Sequence, residues 1–301
     1  MGEVGNQAPV FDDIPVNGGD LRVATWGRGD QVVLGIHGIT GSSMQLAPIA
    51  RRLSPDYMLV APDLRGRGGS NRLPPPFGVR SHAEDCAAVV NHYSDRPVVV
   101  LGESLGGFVA VLLAATWPAL VDRLVLADGG IPTPVPEDVD TDALLQAVIG
   151  PAIDRLGRVF PTPESYLDFW RVHPALSEEW NSDVEAYLQY DLESAGDGYV
   201  SRARKEAVRA DGADVLTDSS AITAALTSLT CRIVLVRARR NLVNQTPPLY
   251  PDDVVERWRS LLGDFNDEIV EDTNHYTLMF GKRGAGRLAA YVDNARGKAH
   301  G

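Results

Sequence analysis

Residues 98–109 read VVVLGESLGGFV, and this stretch decides the fold of the chain. An apolar run ends at Gly102, Ser104 stands two residues later, and a second apolar run begins after Gly107. The middle of the stretch matches G-x-S-x-G, in which small residues on both sides of the serine relieve crowding in a sharp turn. We therefore predict a strand, a strained turn and a buried helix, with the Ser104 hydroxyl raised above the carboxyl end of a sheet.

Short apolar runs and helical patterns alternate on both sides of this turn through the first part of the chain. The predicted strands are Leu21–Trp26, Gln31–His37, Tyr57–Pro62, Pro97–Leu101 and Arg123–Ala127. The helical patterns between them are Met44–Leu53, Ser81–Tyr93 and Leu105–Trp117. The later strands are apolar on both faces, as the central strands of parallel sheets are. This alternation predicts an α/β fold with a mostly parallel sheet flanked by helices.

The alternation stops after Gly130. Residues 131–225 open on the proline-rich IPTPVPEDVD and continue as helical patterns without a convincing strand. We predict helices there at Asp142–Val159, Glu164–Val172, Glu178–Tyr190 and Tyr199–Arg209. Strand patterns return at Cys231–Val236 and Asp267–Val270, with helical patterns at Asp253–Leu262 and Arg287–Asn294. The expected organisation is a core formed by residues 1–130 and 226–301, interrupted by a helical cap at residues 131–225.

Composition and charge exclude several classes of protein. With 301 residues, 44% of them hydrophobic, the chain is long enough to bury a large core. A net charge of −12 argues against a nucleic-acid partner, because the phosphate backbone requires a basic face. The first ten residues lack the features of a signal peptide and no apolar run reaches roughly 18 residues, so we expect a cytoplasmic protein without a membrane span. The two cysteines, Cys86 and Cys231, are expected to be reduced and are too few for a metal site.

A serine hydroxyl is a weak nucleophile until a base accepts its proton. Of the six histidines, His275 is the candidate base, because it lies after the last predicted strand, in a loop expected to reach the sheet edge near Ser104. A tetrahedral intermediate also needs backbone N–H donors for its oxyanion. We expect these donors to be the N–H of Leu105, directly after the serine, and the N–H of Ile39, in the loop after an early strand.

Four segments carry a resemblance to a known family. HGITG (37–41), APDLRGRGGS (61–70), GESLGG (102–107) and NHY (274–276), in this order, resemble the motifs of the α/β-hydrolase superfamily. The resemblance covers about residues 20–130 and 226–295. It implies an eight-stranded, mostly parallel sheet with a helical cap over the active site. It also implies that the loop containing Asp63, Arg65 and Gly66 is structural.

The acid that should orient His275 is missing from the place where most relatives have it. The segment after Cys231–Val236 reads RARRNLVNQTPP, with Asn241 about where an aspartate is expected. Asp128, at the end of an earlier predicted strand, is our choice. Some α/β-hydrolases are similar in placing an acid there, among them the fungal lactonases that open the macrocycle of zearalenone.

Two other carboxylates remain open as the acid, and one is set aside. Asp252 and Asp253 are the alternatives to Asp128. Glu103 directly precedes the serine, and we expect its side chain to point away from Ser104 and to be structural.

Ser104 and His275 together imply acyl transfer to water through a covalent acyl-enzyme. The leading interpretation is a serine hydrolase that cleaves a carboxylic ester or lactone with a Ser104–His275–Asp128 triad. Epoxide hydrolases and haloalkane dehalogenases of this fold use aspartate at the nucleophile position, so Ser104 argues against both. A carbon–carbon bond hydrolase acting on a diketone and a ligand-binding protein with little turnover stay open as alternatives. This chemistry requires no metal and no organic cofactor.

The expected partner is a small hydrophobic ester or lactone. The predicted cap is rich in aromatic residues, which suggests a hydrophobic pocket with a few polar groups. The candidates for lining that pocket are Trp170, Trp180, Tyr187 and Tyr190. The sequence carries no signal for an oligomeric state.

Overall fold

The protein is built around a central β-sheet. Its computed structural model describes residues 8–134, 140–217 and 219–293. The strands are β1 Val10–Val16, β2 Gly19–Gly27, β3 Gln31–Ile36, β4 Tyr57–Pro62, β5 Val98–Glu103, β6 Val121–Ala127, β7 Leu192–Ala195, β8 Gly198–Ser201, β9 Arg232–Arg240 and β10 Phe265–Asn274. Eight of them form one sheet in the order β1-β2-β4-β3-β5-β6-β9-β10. Strand β2 is antiparallel to both of its neighbours, and the remaining pairs are parallel. The predicted α/β fold with an eight-stranded, mostly parallel sheet is confirmed.

Helices cover both faces of this sheet. They are α1 Ala47–Ala50, α2 Val79–Tyr93, α3 Leu105–Thr116, α4 Thr141–Asp154, α5 Pro163–Arg171, α6 Ser182–Tyr190, α7 Lys205–Thr217, α8 Ser219–Ser228, α9 Asp252–Leu261, α10 Thr277–Phe280 and α11 Lys282–Asp293. Helices α2, α3, α8 and α9 contribute to the hydrophobic cluster on one face, and α1, α10 and α11 to the cluster on the other. The apolar composition of α3 follows from its place, because nearly all of its residues are buried.

Strand β5 shows why the central strands are apolar on both faces. Val98 and Val100 belong to the cluster that contains α2 and α3, whereas Val99 and Leu101 belong to the cluster that contains α1 and α11. Successive side chains of a strand point to opposite faces, so a strand covered on both sides must be apolar at every position. Burying each such side chain stabilises the fold by about 1.5–3 kcal/mol.

Apart from shifted ends of predicted helices, the segment between β6 and β9 differs from its prediction at two points. It contains an antiparallel hairpin, β7–β8, where the sequence analysis found no strand. The two strands are joined by Gly196 and Asp197, and Gly196 has a φ of 58°, which suits a tight two-residue turn. The predicted helix Tyr199–Arg209 is wrong in its first part, because residues 198–201 are in β8 and α7 begins only at Lys205.

Helix α8 packs against the sheet-covering helix α3, and its Ile222 and Leu226 are buried in the same cluster as α3. The segment 131–225 therefore makes direct contact with helix α3. Residues 135–139 of the proline-rich stretch lie outside the described residues.

Three further observations concern the described part of the chain. No helix among residues 8–134, 140–217 and 219–293 has both the length and the apolar composition needed to cross a membrane. The same residues contain no group of three or more His, Cys, Asp or Glu side chains suited to hold a metal ion. Cys86 and Cys231 are both free thiols.

Candidate active site

Ser104 occupies a strained turn between β5 and α3. Its backbone has φ 51° and ψ −117°, a left-handed region that costs a non-glycine residue about 1–3 kcal/mol. The surrounding glycines allow this geometry. A Cβ on Gly106 would lie 2.2 Å from the carbonyl oxygen of Ile36, and one on Gly129 would lie 2.2 Å from the carbonyl oxygen of Ser104. The turn at Ser104 is called the elbow below. Its backbone, the end of β3 and the loop after β6 pack more closely than side chains at Gly106 and Gly129 would permit.

His275 directly follows β10, and the end of this strand places it beside the elbow. The side chain of Asn274 accepts hydrogen bonds from the N–H groups of Tyr276 and Thr277, at 3.0 and 2.9 Å. This turn ends the strand and starts α10, with His275 at its tip. The sequence NHY thus works as one unit, in which the asparagine fixes the backbone that carries the histidine.

Asp128 holds the other side of the imidazole ring. Its Oδ2 lies 2.7 Å from His275 Nδ1, and its Oδ1 accepts the N–H of Ala238 at 3.2 Å. Asp128 is fully buried and, like Ser104, has a positive φ, of 47°. The contact therefore joins the loop after β6 to the loop after β10 directly beside Ser104.

The other acids considered from the sequence lie elsewhere. Asp252 pairs with Arg237 at 2.9 Å, and its side chain is 82% exposed. Asp253 is exposed on the same helix. Asn241 uses its side-chain oxygen to accept the N–H groups of Val243 and Gln245 within its own turn. The structure brings Asp128, and none of these three residues, to His275.

The direction of the Glu103 side chain contradicts the prediction that it points away from Ser104. Its Oε1 lies 3.1 Å from His275 Nε2, so the side chain points into the site and not away from it. The carboxylate is buried beside Gly38, where an added Cβ would lie 2.3 Å from Glu103 Oε2. The missing side chain at Gly38 leaves the room that the glutamate fills. A hydrogen bond to the ring gives this buried carboxylate a partner, and the described residues offer it no other.

The two carboxylates control the protonation of His275. Burial lowers the pKa of the ring, but its hydrogen bonds to Asp128 and Glu103 outweigh burial and raise the pKa to about 10. The ring is therefore an imidazolium at neutral pH in this arrangement. Ser104 Oγ makes no hydrogen bond with any residue that the structure describes.

The predicted oxyanion donors lie in backbone that is tightly held. Arg67 donates two hydrogen bonds to the carbonyl of Ile39, at 3.0 and 2.8 Å, and Arg155 donates one to the carbonyl of Thr40, at 2.9 Å. Leu105 is the first residue of α3, where N–H groups have no acceptor within the helix. Ile39 and Leu105 both line the cavity beside Ser104.

Both arginines are anchored to the segment between β6 and β9. Arg67 is fully buried against Asp211 of α7, and Arg155 is fully buried at 3.3 Å from Asp191, which follows α6. Sequence analysis did not single out these residues. A signal was present for Arg67, which lies in the quoted segment 61–70, but its buried partner becomes visible only in three dimensions.

His37, in the segment HGITG, has a structural role that the sequence analysis did not assign. Burial lowers its pKa to about 3, so the ring is neutral. Its Nδ1 donates to the carbonyl of Gly38 at 2.8 Å, and its Nε2 accepts the N–H of Leu64 at 3.0 Å. The ring thereby ties the loop after β3 to the loop after β4, which is the loop that carries Arg67.

The cavity at Ser104 has two lobes. The apolar lobe has a volume of about 140 Å³, and its lining residues are Ile39, Ser104, Leu105, Phe108, Pro132, Thr133, Leu145, Ile149, Gly212, Val215, Leu216, Leu249 and Tyr250. The polar lobe is narrower, about 30 Å³, and is lined by Gly38, Ile39, Thr40, Gly41, Gln45, Glu103, Ser104, Ile149, Ala152, Tyr187, Leu242, His275 and Tyr276. Ser104 lines both lobes, and none of the described residues that line them is a lysine or an arginine.

Of the four aromatic residues predicted to line a pocket, the structure places Tyr187 in the polar lobe. The other three lie outside both lobes. Trp170 is buried against the Arg155 guanidinium, Trp180 Nε1 donates to Glu185 at 2.8 Å, and Tyr190 donates to Asp63 at 2.6 Å.

Comparison with known proteins agrees with this architecture. Residues 31–148 match the family model described as the alpha/beta hydrolase fold. The structure of E-2-(acetamidomethylene)succinate hydrolase superimposes with a TM-score of 0.77 over 96% of this chain and 100% of that chain, at 19% identity. The thioesterase domain from the curacin biosynthetic pathway superimposes with a TM-score of 0.72 over 95% and 99% of the two chains, also at 19% identity. The chain has the α/β-hydrolase fold.

Curated relatives match over a shorter region. The chain is 39% identical over 113 residues to lipase LipV of Mycobacterium tuberculosis, an alignment that covers 37% of this chain and 42% of the lipase. It is 33% identical over 124 residues to 2-(acetamidomethylene)succinate hydrolase of Mesorhizobium japonicum, covering 41% of this chain and 43% of that enzyme. The chain thus covers less than half of the length of these relatives.

The close contacts at the elbow predict opposite effects for two helix glycines. Gly106→Ala should lower the free energy of unfolding by about 1–3 kcal/mol, because its Cβ would meet the β3 backbone. Gly286→Ala on α11 should raise it by about 0.5–1 kcal/mol, because nothing lies within 4 Å and alanine favours a helix. Urea denaturation of both variants measures the difference, and equal effects would contradict the elbow geometry.

Proposed function

We propose that this protein is a serine hydrolase that cleaves a carboxylic ester or lactone through an acyl-enzyme, with Ser104 as nucleophile, His275 as base and Asp128 as the orienting acid. One observation carries the proposal. The Asp128 carboxylate lies 2.7 Å from His275 Nδ1, beside a serine held in a strained turn at the start of a helix. The α/β-hydrolase fold, the family-model match over residues 31–148 and the hydrolase names of the relatives support the same reaction class.

The proposed reaction has two halves. Neutral His275 accepts the Ser104 proton at Nε2 as the hydroxyl oxygen bonds to the substrate carbonyl carbon. The N–H groups of Leu105 and Ile39 stabilise the oxyanion, and the imidazolium then gives the proton to the departing alcohol. Water repeats these steps on the acyl-enzyme and releases the carboxylic acid. Asp128 fixes the ring tautomer and stabilises the imidazolium throughout.

The lining of the cavity supports an uncharged, apolar substrate. Among the described residues the two lobes carry no lysine or arginine, and Glu103 adds a carboxylate to the polar lobe. An anionic substrate would lose its hydration there without gaining a cationic partner, which is costly. A volume of about 140 Å³ is close to that of an engineered cavity in another protein that binds benzene, so the apolar lobe suits an acyl or alcohol group of about four to six carbons.

This substrate class leads to a comparison of two matched esters. The protein should hydrolyse p-nitrophenyl butyrate with a kcat/KM at least about tenfold higher than p-nitrophenyl hemisuccinate, which has a similar chain length but a terminal carboxylate. Release of p-nitrophenol, corrected for the uncatalysed rate, measures both, with Ser104→Ala as the inactive control. Equal rates would contradict the proposed substrate class. No turnover of either ester, or of a panel of lactones, would contradict the ester-hydrolase proposal.

The identity of the acid is tested by two aspartate variants. Asp128→Asn should lower kcat by about 10⁴-fold, because the amide no longer fixes the tautomer or stabilises the imidazolium. Asp252→Asn should leave kcat within about twofold, because this side chain is exposed and pairs with Arg237. The reverse pattern would assign the acid to Asp252 and contradict the proposed triad.

A further inference from the structure

Glu103 is a buried carboxylate that the acyl-transfer steps do not use. Its side chain is 2% exposed, and among the described residues its Oε2 has no hydrogen-bond partner. Burying a carboxylate is costly unless it is paired. Its one partner in the part of the chain that the structure describes is His275 Nε2, at 3.1 Å, the same ring nitrogen that has to accept the proton of Ser104.

The geometry requires a proton between Glu103 and the ring. His275 Nδ1 lies 2.7 Å from Asp128, which accepts its N–H. A bare Nε2 lone pair facing a carboxylate oxygen would be repulsive, so the 3.1 Å contact requires a proton on Nε2, which the ring donates to Glu103. With that proton in place the Nε2 lone pair is occupied. Ser104 therefore has no base in this arrangement.

We propose that Glu103 is a positioning residue that holds His275 in a protonated, idle form in the substrate-free site, so that Ser104 is activated only when the Glu103–Nε2 contact opens or loses its proton. The catalytic meaning of this contact rests on the proposed function. The contact itself does not, because it is a property of the ring and two carboxylates.

No other charged group competes at this position among the described residues. The charges that face His275 are Asp128, from the loop after β6, and Glu103, from the end of β5. Two tyrosines complete the surroundings. Burial raises the pKa of Tyr276 to about 12, and burial together with the two carboxylates raises the pKa of Tyr250. Neither tyrosine titrates in the range in which the histidine would.

The sign of the pH effect follows. His275 must be neutral to act as the base. Burial lowers the pKa of its ring, but the two carboxylates raise it to about 10, so the protonated form is stabilised here. Activity should therefore increase as the pH rises past the value for an ordinary histidine. The acid limb of kcat/KM reports this ionisation in the free enzyme.

The decisive variant is Glu103→Gln, which keeps the size of the side chain and removes its charge. In the wild type the midpoint of the acid limb should lie above pH 8. In Glu103→Gln it should fall by at least one pH unit, so that kcat/KM at pH 7 rises about tenfold or more. Asp252→Asn, which removes an exposed carboxylate, should leave the midpoint unchanged. A Glu103→Gln variant that loses activity at every pH with an unmoved midpoint would show a merely structural role and overturn the proposal.

A measurement without substrate separates this proposal from the ester-hydrolase proposal. The ring of His275 is followed by ¹H–¹⁵N NMR in the wild type, and its signals are assigned by their loss in His275→Gln. The ring should remain protonated to at least pH 8. A titration midpoint below pH 8 would overturn the proposal, even if Glu103→Gln does not fold and even if no ester is hydrolysed.

Discussion

The left-handed backbone at Ser104 is the constraint on which the rest of the site depends. This backbone conformation is energetically costly for a serine. Here the close packing of neighbouring backbone segments stabilises it. Gly106 lets α3 approach the end of β3, and Gly129 lets the loop after β6 approach the elbow. The same loop carries Asp128. The close packing that stabilises the nucleophile turn therefore also fixes the residue that orients the histidine.

Buried charge is the second organising feature. Arg67 and Arg155 hold the carbonyls of the loop expected to provide an oxyanion donor, and each is neutralised by an aspartate from the segment between β6 and β9. Removing one member of such a pair would leave an uncompensated buried charge, at a cost of about 3–5 kcal/mol. That segment therefore does more than cover the cavity, because it supplies the counter-charges that keep the loop beside Ser104 in place.

Much of this architecture could be predicted from the sequence, because it follows from local rules. The G-x-S-x-G turn, the two-sided apolar strands and the NHY loop each have a physical reason that can be read from neighbouring residues. The β7–β8 hairpin was missed because its strands are short and only its Gly196-Asp197 turn distinguishes it. The prediction of the Glu103 side-chain orientation was wrong for a different reason. It depends on the space left by Gly38 and on a ring from the far end of the chain, neither of which is local in sequence.

Covalent labelling of the nucleophile tests the central claim most directly. The protein is incubated at pH 9 with an alkyl fluorophosphonate, which transfers its phosphonyl group to an activated serine with loss of fluoride, and is then digested and analysed by mass spectrometry. If Ser104 is an activated nucleophile, the wild type carries one adduct, on the peptide that contains Ser104, and Ser104→Ala carries none. An unlabelled wild type, or equal labelling of Ser104→Ala, would contradict the assignment of Ser104 as the nucleophile.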